Sequence, residues 1–231
     1  MKKFVLLAVL ILGCAGYRND YGLDFQNAYK GLAVIEFKAV LETEKLKREK
    51  EWKAIGIVLE DGKVLALTHA TSVPLREEMN TPFGTFILEW KTKTERFFID
   101  GEEIKLIGRN GDISLFQSSI KTPFPIPFGD SDELKVGDKV MVIGFSGTIL
   151  FNAKDGIVSA LDVGKYGLPV KEETLLHSAP VNKGDSGSPL IAFKYGKPEI
   201  VGIVNAMIQD EGMGFAIKIN DVKKAIKEVE K

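Results

Sequence analysis

The chain has 231 residues, 45% of them hydrophobic, and a formal net charge of −1. A chain of this size can bury a substantial core, either as one large β domain or as two small lobes. The near-neutral charge argues against a nucleic-acid-binding protein, which would usually carry a basic surplus or stripe.

The N-terminal segment predicts export. Lys2 and Lys3 precede the apolar run FVLLAVLILG, which is too short to span a bilayer as a mature helix and is typical of a secretory signal. The run ends at Cys14, the chain's only cysteine. This ending resembles a bacterial lipoprotein signal, which implies cleavage before Cys14 and lipidation of its thiol. The alternatives are an ordinary signal peptide or an uncleaved anchor with an incidental cysteine.

A tether and two β lobes are predicted next. Residues 14–30 are polar and indicate a tether after a signal peptide over residues 1–13. Short apolar runs then recur with turn signals between them, including Asp-Gly at hairpin positions in EDGK and IDGE. Many short strands without helical periods indicate an all-β chain of antiparallel barrels. We place one barrel over residues 31–125 and a second over residues 126–218.

The tail differs from the rest of the chain. Its apolar side chains fall at i, i+3, i+4 and i+7, a spacing that predicts an amphipathic helix within residues 219–231. Asn220 or Asp221 is expected to cap it. The four apolar positions are Val222, Ala225, Ile226 and Val229.

The stretch NKGDSGSPLI contains a serine between two glycines. Gly184 and Gly187 would let the backbone turn sharply, so that the amides of Gly184 and Ser186 converge on one point. A serine hydroxyl attacks a carbonyl only when a base removes its proton and donors stabilise the oxyanion that forms. A Gly-Ser surface turn without a catalytic role is the alternative.

The chain offers two histidines as the base. His177 lies nine residues before Ser186 and is expected to be a pocket-wall or structural residue. His69 directly follows an apolar strand, although by itself it could equally be a half-buried core residue. Asp112 heads a strand and could orient the imidazole. Together His69, Asp112 and Ser186 occur in one of the recurring orders of a catalytic triad.

Several long segments resemble the HtrA/Deg type of trypsin-like (chymotrypsin-fold) serine protease. The resemblance runs from about residue 33 to residue 229. It implies two six-stranded antiparallel barrels with an active site between them, and endopeptidase activity towards unfolded or damaged envelope proteins. The segments include PFGDSDELKVGDKVMVIGFSG at 127–147, DGIVSAL at 155–161 and LLHSAPVNKGDSGSPL at 175–190.

The resemblance also assigns roles. His69 matches the general base, Asp112 the acid that orients it, and Ser186 the nucleophile. Gly184 matches the oxyanion-hole glycine, which acts through its amide together with that of Ser186. The resemblance implies a homotrimer, and neither a cofactor nor a metal is expected.

The sequence departs from the family pattern at three points. Ala66 stands where a threonine usually lies three residues before the base, and Ser188 replaces the second glycine after the nucleophile. No PDZ domain is expected after the helix, because the sequence ends at Lys231. Ala66 and the expected lack of a PDZ domain keep open the alternative of a catalytically inactive, protease-fold lipoprotein that acts as a binding module.

Specificity follows from the resemblance as well. Pro180 takes the position at the base of the primary pocket, so cleavage after Lys or Arg is not expected. Asn205, Ala206 and Met207 match the strand that pairs with the substrate backbone. Ala206 and Met207 suggest a small or medium apolar side chain before the scissile bond.

Overall fold

We describe a computed structural model of the chain. The structure describes residues 25–82, 84–146, 150–166, 174–194, 196–208 and 212–231. Cys14, the signal run and most of the predicted tether lie outside the described residues. Within those ranges, no helix is long and apolar enough to cross a membrane.

The described part of the chain is almost entirely β structure. A short helix, α1, spans Phe25–Ala28. The first eight strands are β1 Leu32–Glu42, β2 Lys47–Val58, β3 Lys63–Leu67, β4 Arg76–Thr81, β5 Gly84–Glu89, β6 Lys91–Ile99, β7 Glu102–Asn110 and β8 Ile113–Gln117. The remaining six are β9 Lys139–Ser146, β10 Leu150–Ala160, β11 Thr174–His177, β12 Pro189–Lys194, β13 Lys197–Met207 and β14 Gly214–Lys218. A second helix, α2, spans Ile219–Val229.

Twelve of these strands form two closed six-stranded barrels. The first has the strand order β1-β2-β3-β8-β7-β6, and the second has the order β10-β11-β14-β13-β12-β9. Paired strands are antiparallel in both barrels. The predicted all-β fold with two six-stranded barrels and a terminal helix is therefore confirmed. The hairpin of β4 and β5 forms a separate two-stranded sheet.

The period-two pattern of the sequence becomes the wall of the first barrel. Along β1, alternate side chains are buried, Phe37 among them. The Phe37 ring lies 4.5 Å from that of Trp52 and 5.0 Å from that of Phe97, measured between centroids. Side chains on opposite faces of a strand alternate, so one face fills the barrel while the other meets water.

The two barrels share one apolar cluster. Ile55 and Leu67 come from the first barrel, and Ile143 and Ile203 from the second. Burial of large aliphatic side chains stabilises such a contact by about 1.5–3 kcal/mol per residue. The end of β3, where His69 follows, is thus held against the second barrel by apolar packing.

Helix α2 bridges the barrels. It packs on β13 and β14 of the second barrel and on β7 and β8 of the first. Its last residue, Val229, lies so near Gly108 that a Cβ added to that glycine would be 3.0 Å from the valine Cγ1. The Lys63 ammonium also donates to Glu230 Oε1 at 2.5 Å. These contacts hold the first barrel against the second.

The predicted cap of α2 is wrong. The helix starts directly from β14, with Lys218 in the N-cap position and no side-chain cap. Asn220 and Asp221 consequently lie inside the first turn, where a side chain cannot act as N-cap. The backbone N–H of Asn220 instead donates to the Ser131 hydroxyl at 3.2 Å. A residue 89 positions away therefore accepts the bond that a local cap would have accepted.

Candidate active site

His69 and Asp112 form a hydrogen-bonded pair. β3 and β8 are antiparallel neighbours, and this brings His69, the second residue after β3, next to Asp112, the residue before β8. The backbone N–H of His69 donates to Asp112 Oδ1 at 2.9 Å, and His69 Nδ1 lies 2.7 Å from Asp112 Oδ2. With the proton on Nδ1, the carboxylate fixes the tautomer that leaves Nε2 free to accept a proton.

A hydroxyl network braces the loop that carries His69. Thr68 Oγ1 lies 3.0 Å from Ser114 Oγ, and Thr71 Oγ1 donates to the carbonyl of Leu67 at 2.9 Å. Thr71 and Ser114 are fully buried. These residues were missed from the sequence, although Ser114 lies opposite Ala66 in the strand register. The hydroxyl absent at Ala66 therefore does not leave this loop without polar support.

Ser186 lies in a turn that requires glycine at positions 184 and 187. Gly184 and Gly187 have φ angles of 101° and 95°, in the region that side chains disfavour. Gly187 also donates to the carbonyl of Val204 at 2.8 Å. A Cβ at Gly187 would stand 2.4 Å from the carbonyl oxygen of Ile55, so the turn lies directly against β2 of the first barrel. Ser186 itself is half-buried.

Two amides of this turn are available to a ligand. Within the part of the chain that the structure describes, the N–H groups of Gly184 and Ser186 donate to no protein acceptor, whereas those of Asp185, Gly187 and Ser188 do. Unpaired backbone N–H groups in a rigid turn are the donors that an oxyanion requires.

The structure brings His69 and Asp112 together, and it holds Ser186 in the separate turn between Gly184 and Gly187. Among the described residues, no hydrogen bond joins the Ser186 hydroxyl to the imidazole. Catalytic hydrogen bonds are often long before substrate binds and tighten in the complex. The described residues also hold no cluster of His, Cys, Asp and Glu side chains suited to a metal ion.

The predicted substrate strand has an open edge. β12 pairs with β13 as far as Ile203, and β13 beyond that point pairs only with β14 among the described strands. Asn205 and Ala206 are half-buried, and Met207 is 42% exposed. A cavity of about 550 Å³ is lined by Asn205 and Ala206 together with His69 and Asp112. Pro180 is exposed in the segment after β11.

His177 is not part of this pair. It is fully buried in β11, and neither ring nitrogen has a hydrogen-bond partner among the described residues. A Cβ added to Gly214 would stand 2.6 Å from its Cε1. Burial lowers the pKa of His177 from 6.5 to about 4, and the charge of Lys154 acts in the same direction. Its position agrees with the structural role expected from the sequence.

The buried imidazole predicts a pH-dependent stability. Between pH 6.5 and 4 the unfolded chain binds a proton that the folded chain excludes, so the free energy of unfolding falls as the pH is lowered. The stability is fully present above pH 6.5, and the loss approaches about 3 kcal/mol near pH 4. Urea unfolding of the parent and of His177→Gln at pH 7, 5.5 and 4 measures it. We expect a smaller loss in the variant; equal losses would contradict the assignment.

The comparisons with known proteins agree with this fold. The trypsin-like peptidase domain family matches residues 54–203. HtrB of Bacillus subtilis, a "serine protease Do-like" protein, is 33% identical over 134 residues, 53% of this chain and 29% of that protein. The periplasmic serine endoprotease DegP of Escherichia coli is 35% identical over 130 residues, 52% of this chain and 26% of that protein. The chain thus spans less than a third of the length of these relatives.

Solved structures show the same fold. The HtrA-type protease AlgW with a decapeptide superimposes with a TM-score of 0.61 at 19% identity, covering 89% of this chain and 68% of that chain. The serine endoprotease from Yersinia pestis gives a TM-score of 0.57 at 20% identity, covering 90% of this chain and 66% of that chain.

Proposed function

The chain belongs to the trypsin-like peptidase domain family, and starting from that membership we propose that it is a serine endopeptidase. Two observations support the proposal: His69 Nδ1 pairs with Asp112 Oδ2 at 2.7 Å, and Ser186 lies in a turn between two glycines of positive φ. An imidazole held by a carboxylate and a serine held in a rigid turn are the groups that the activation of a hydroxyl requires.

In this proposal Ser186 Oγ attacks the scissile carbonyl carbon, and His69 Nε2 accepts the hydroxyl proton. Asp112 holds the imidazole in place and stabilises the imidazolium. The N–H groups of Gly184 and Ser186 stabilise the tetrahedral oxyanion. His69 then transfers the proton to the leaving amine, and water hydrolyses the acyl-enzyme by the same route in reverse.

The substrate we propose is an unfolded polypeptide. An extended segment would add to the open edge of β13 at Asn205, Ala206 and Met207, through hydrogen bonds between the two backbones. Backbone pairing requires an extended chain and reads little sequence, which suits damaged or unfolded proteins. The family resemblance assigns Pro180 to the base of the primary pocket, where no acidic side chain would bind Lys or Arg. Ala206 and Met207 favour a small or medium apolar side chain before the scissile bond.

An active-site serine probe tests the proposal. A fluorophosphonate is expected to label the purified protein stoichiometrically, and Ser186→Ala not at all. Hydrolysis of unfolded casein, absent from folded control proteins, checks the substrate class. If the probe does not label the parent and casein stays intact, the protein is instead the inactive binding module, for which Ala66 was a sequence indication.

We also propose that the protein acts in the bacterial cell envelope as a membrane-tethered lipoprotein and assembles as a homotrimer. The basic residues, short apolar run and Cys14 at its end support the envelope location. One acyl chain binds a membrane only marginally, whereas several chains anchor a protein stably. Light scattering of the purified protein tests the trimer.

Cys14→Ser is expected to move the protein from the membrane to the soluble envelope fraction, or to leave the precursor unprocessed, because the lipid acceptor is lost. Fractionation followed by mass spectrometry of the mature N-terminus measures this. The activity of the purified protein should stay unchanged. An unmodified Cys14 in the parent, or cleavage elsewhere, would contradict the anchor and leave the peptidase proposal unaffected.

A further inference from the structure

A buried ion pair holds the turn of residues 184–187, which carries Ser186 and is called the nucleophile turn below. Asp185 immediately precedes Ser186 in the chain, and its side chain is completely buried. Lys154, in the middle of β10, donates from its ammonium to Asp185 Oδ2, and only 14% of its side chain is exposed. Buried charges at this depth are rare unless they are paired, and here each charge supplies the other's partner.

Asp185 ties the two ends of the turn together. Its Oδ2 accepts from the backbone N–H of Asn182 at 2.6 Å, and its own N–H donates to the Asn182 carbonyl at 3.0 Å. Its carbonyl accepts from the N–H of Ser188 at 2.9 Å. One residue therefore connects position 182, before the turn, with position 188, after it.

This connection sets the direction of an oxyanion donor. The carbonyl of Asp185 and the N–H of Ser186 belong to one planar peptide group and point in opposite directions. Because that carbonyl is held by the Ser188 amide, the Ser186 N–H is directed away from it. The Ser186 N–H is one of the two amides of this turn that donate to no acceptor among the described residues. Any rotation of Asp185 would turn this donor.

The carboxylate can stay in this place only with a cation beside it. Asp185 Oδ1 has no hydrogen-bond partner within the described ranges, and the nearby Ser188 hydroxyl has none either. Without Lys154 the Asn182 amide would be the only donor to this buried carboxylate among the described residues, and the charged group would move towards water and release that bond. Lys154 is the cation that the structure places on it.

We propose that Lys154 is a positioning residue that fixes the oxyanion-binding turn through Asp185. The inference rests on the proposed peptidase function for its effect on catalysis, but its effect on the turn does not depend on activity. Because β10 belongs to the same barrel as the turn, the cation is supplied by the folded barrel itself.

Lys154→Met tests the proposal, since methionine keeps much of the side-chain volume and removes the charge. If the oxyanion donor is misplaced, kcat for a peptide substrate should fall by about 10²-fold, the effect of losing one such donor. KM should change by less than about threefold, because the substrate-pairing edge of β13 is untouched. A kcat equal to that of the parent would overturn the proposal.

Lys218→Met is the matched control. Lys218 also lies in the second barrel, is 12% exposed and pairs with Asp162. Its loss removes the charge of a similarly buried lysine whose partner, Asp162, lies outside the turn and is 33% exposed. We expect parent kcat in this variant. An equal loss of kcat in Lys218→Met would show a general effect on stability and contradict a positioning role for Lys154.

Hydrogen exchange of the segment 182–190 gives a readout that does not require activity. In Lys154→Met, the amides of Asn182, Asp185 and Ser188 should exchange faster than in the parent. In Lys218→Met, their exchange rates should equal those of the parent. Unchanged exchange in Lys154→Met overturns the proposal even if the parent hydrolyses no peptide. If the parent is inactive but the amides exchange faster in Lys154→Met, the result rejects the proposed function and supports the positioning role.

The double variant Lys154→Met/Asp185→Asn covers the case in which the single variant does not fold. An asparagine oxygen can still accept from the Asn182 amide without needing a cation. Where Lys154→Met folds, we expect the double variant to have a kcat at least about tenfold higher, the sign of direct coupling between the two residues. Where Lys154→Met does not fold, we expect the double variant to fold and to keep about a tenth of the parent kcat. The proposal would be contradicted by a folded double variant whose kcat does not recover. It would also be contradicted if the amides of segment 182–190 exchanged as fast in the double variant as in Lys154→Met.

Discussion

Ser186→Ala is expected to lower kcat for peptide hydrolysis by on the order of 10⁶-fold, because no other group can form the acyl-enzyme. Ser186 is half-buried, and its hydroxyl makes no hydrogen bond among the described residues. Removing it should therefore change the free energy of unfolding by less than about 0.5 kcal/mol. Steady-state kinetics with a peptide substrate and urea unfolding give the two measurements.

Ser188→Ala is the matched control for this experiment. Ser188 lies two residues further along the same loop, and its buried hydroxyl has no hydrogen-bond partner in the described part of the chain. Its backbone bonds to Asp185 and Val204 remain when the side chain is shortened. Activity should stay at the parent level. If Ser186→Ala cleaves as well as Ser188→Ala, the assignment of the nucleophile is wrong.

The second large effect is expected at His69. His69→Ala should lower kcat by about 10⁴–10⁶-fold, because the hydroxyl of Ser186 then loses its base. The pairing of Nδ1 with Asp112 Oδ2 at 2.7 Å marks this imidazole as the one that is held for proton transfer. Binding of substrate to β13 should be affected far less than kcat.

His177→Ala provides the comparison, because the chain has only two histidines. His177 is fully buried in β11. The His177→Ala variant is expected to retain most of the parent kcat. Loss of the buried ring should instead lower the free energy of unfolding by about 1–3 kcal/mol. Kinetics below the unfolding transition separate the two effects. Loss of activity in His177→Ala with activity retained in His69→Ala would reject both the base assignment and the mechanism.

Much of the fold was readable from the sequence. The period-two runs predicted strands such as β1, in which alternate side chains are buried. The helical spacing of the tail predicted α2, which spans Ile219–Val229. Both patterns are local, because a strand or an amphipathic helix repeats its buried face every two or every three to four residues. The predicted cap residue of α2 was wrong, because the N-cap position falls on Lys218 at the end of β14. The hydroxyl that accepts from Asn220 belongs to Ser131, in a distant segment.

The sequence by itself determined the two-barrel architecture and selected His69, Asp112 and Ser186 as the candidates for chemistry. Their residue types, turn glycines and neighbouring strands are all local features of the chain. Only the tertiary structure decided that Thr71 and Ser114 support the histidine loop, and that Lys154 pairs with Asp185 across 31 positions. In the sequence, a lysine in β10 is typical of a solvated strand face. Its burial follows from closure of the second barrel, which brings β10 beneath the nucleophile turn, and no local pattern specifies that contact.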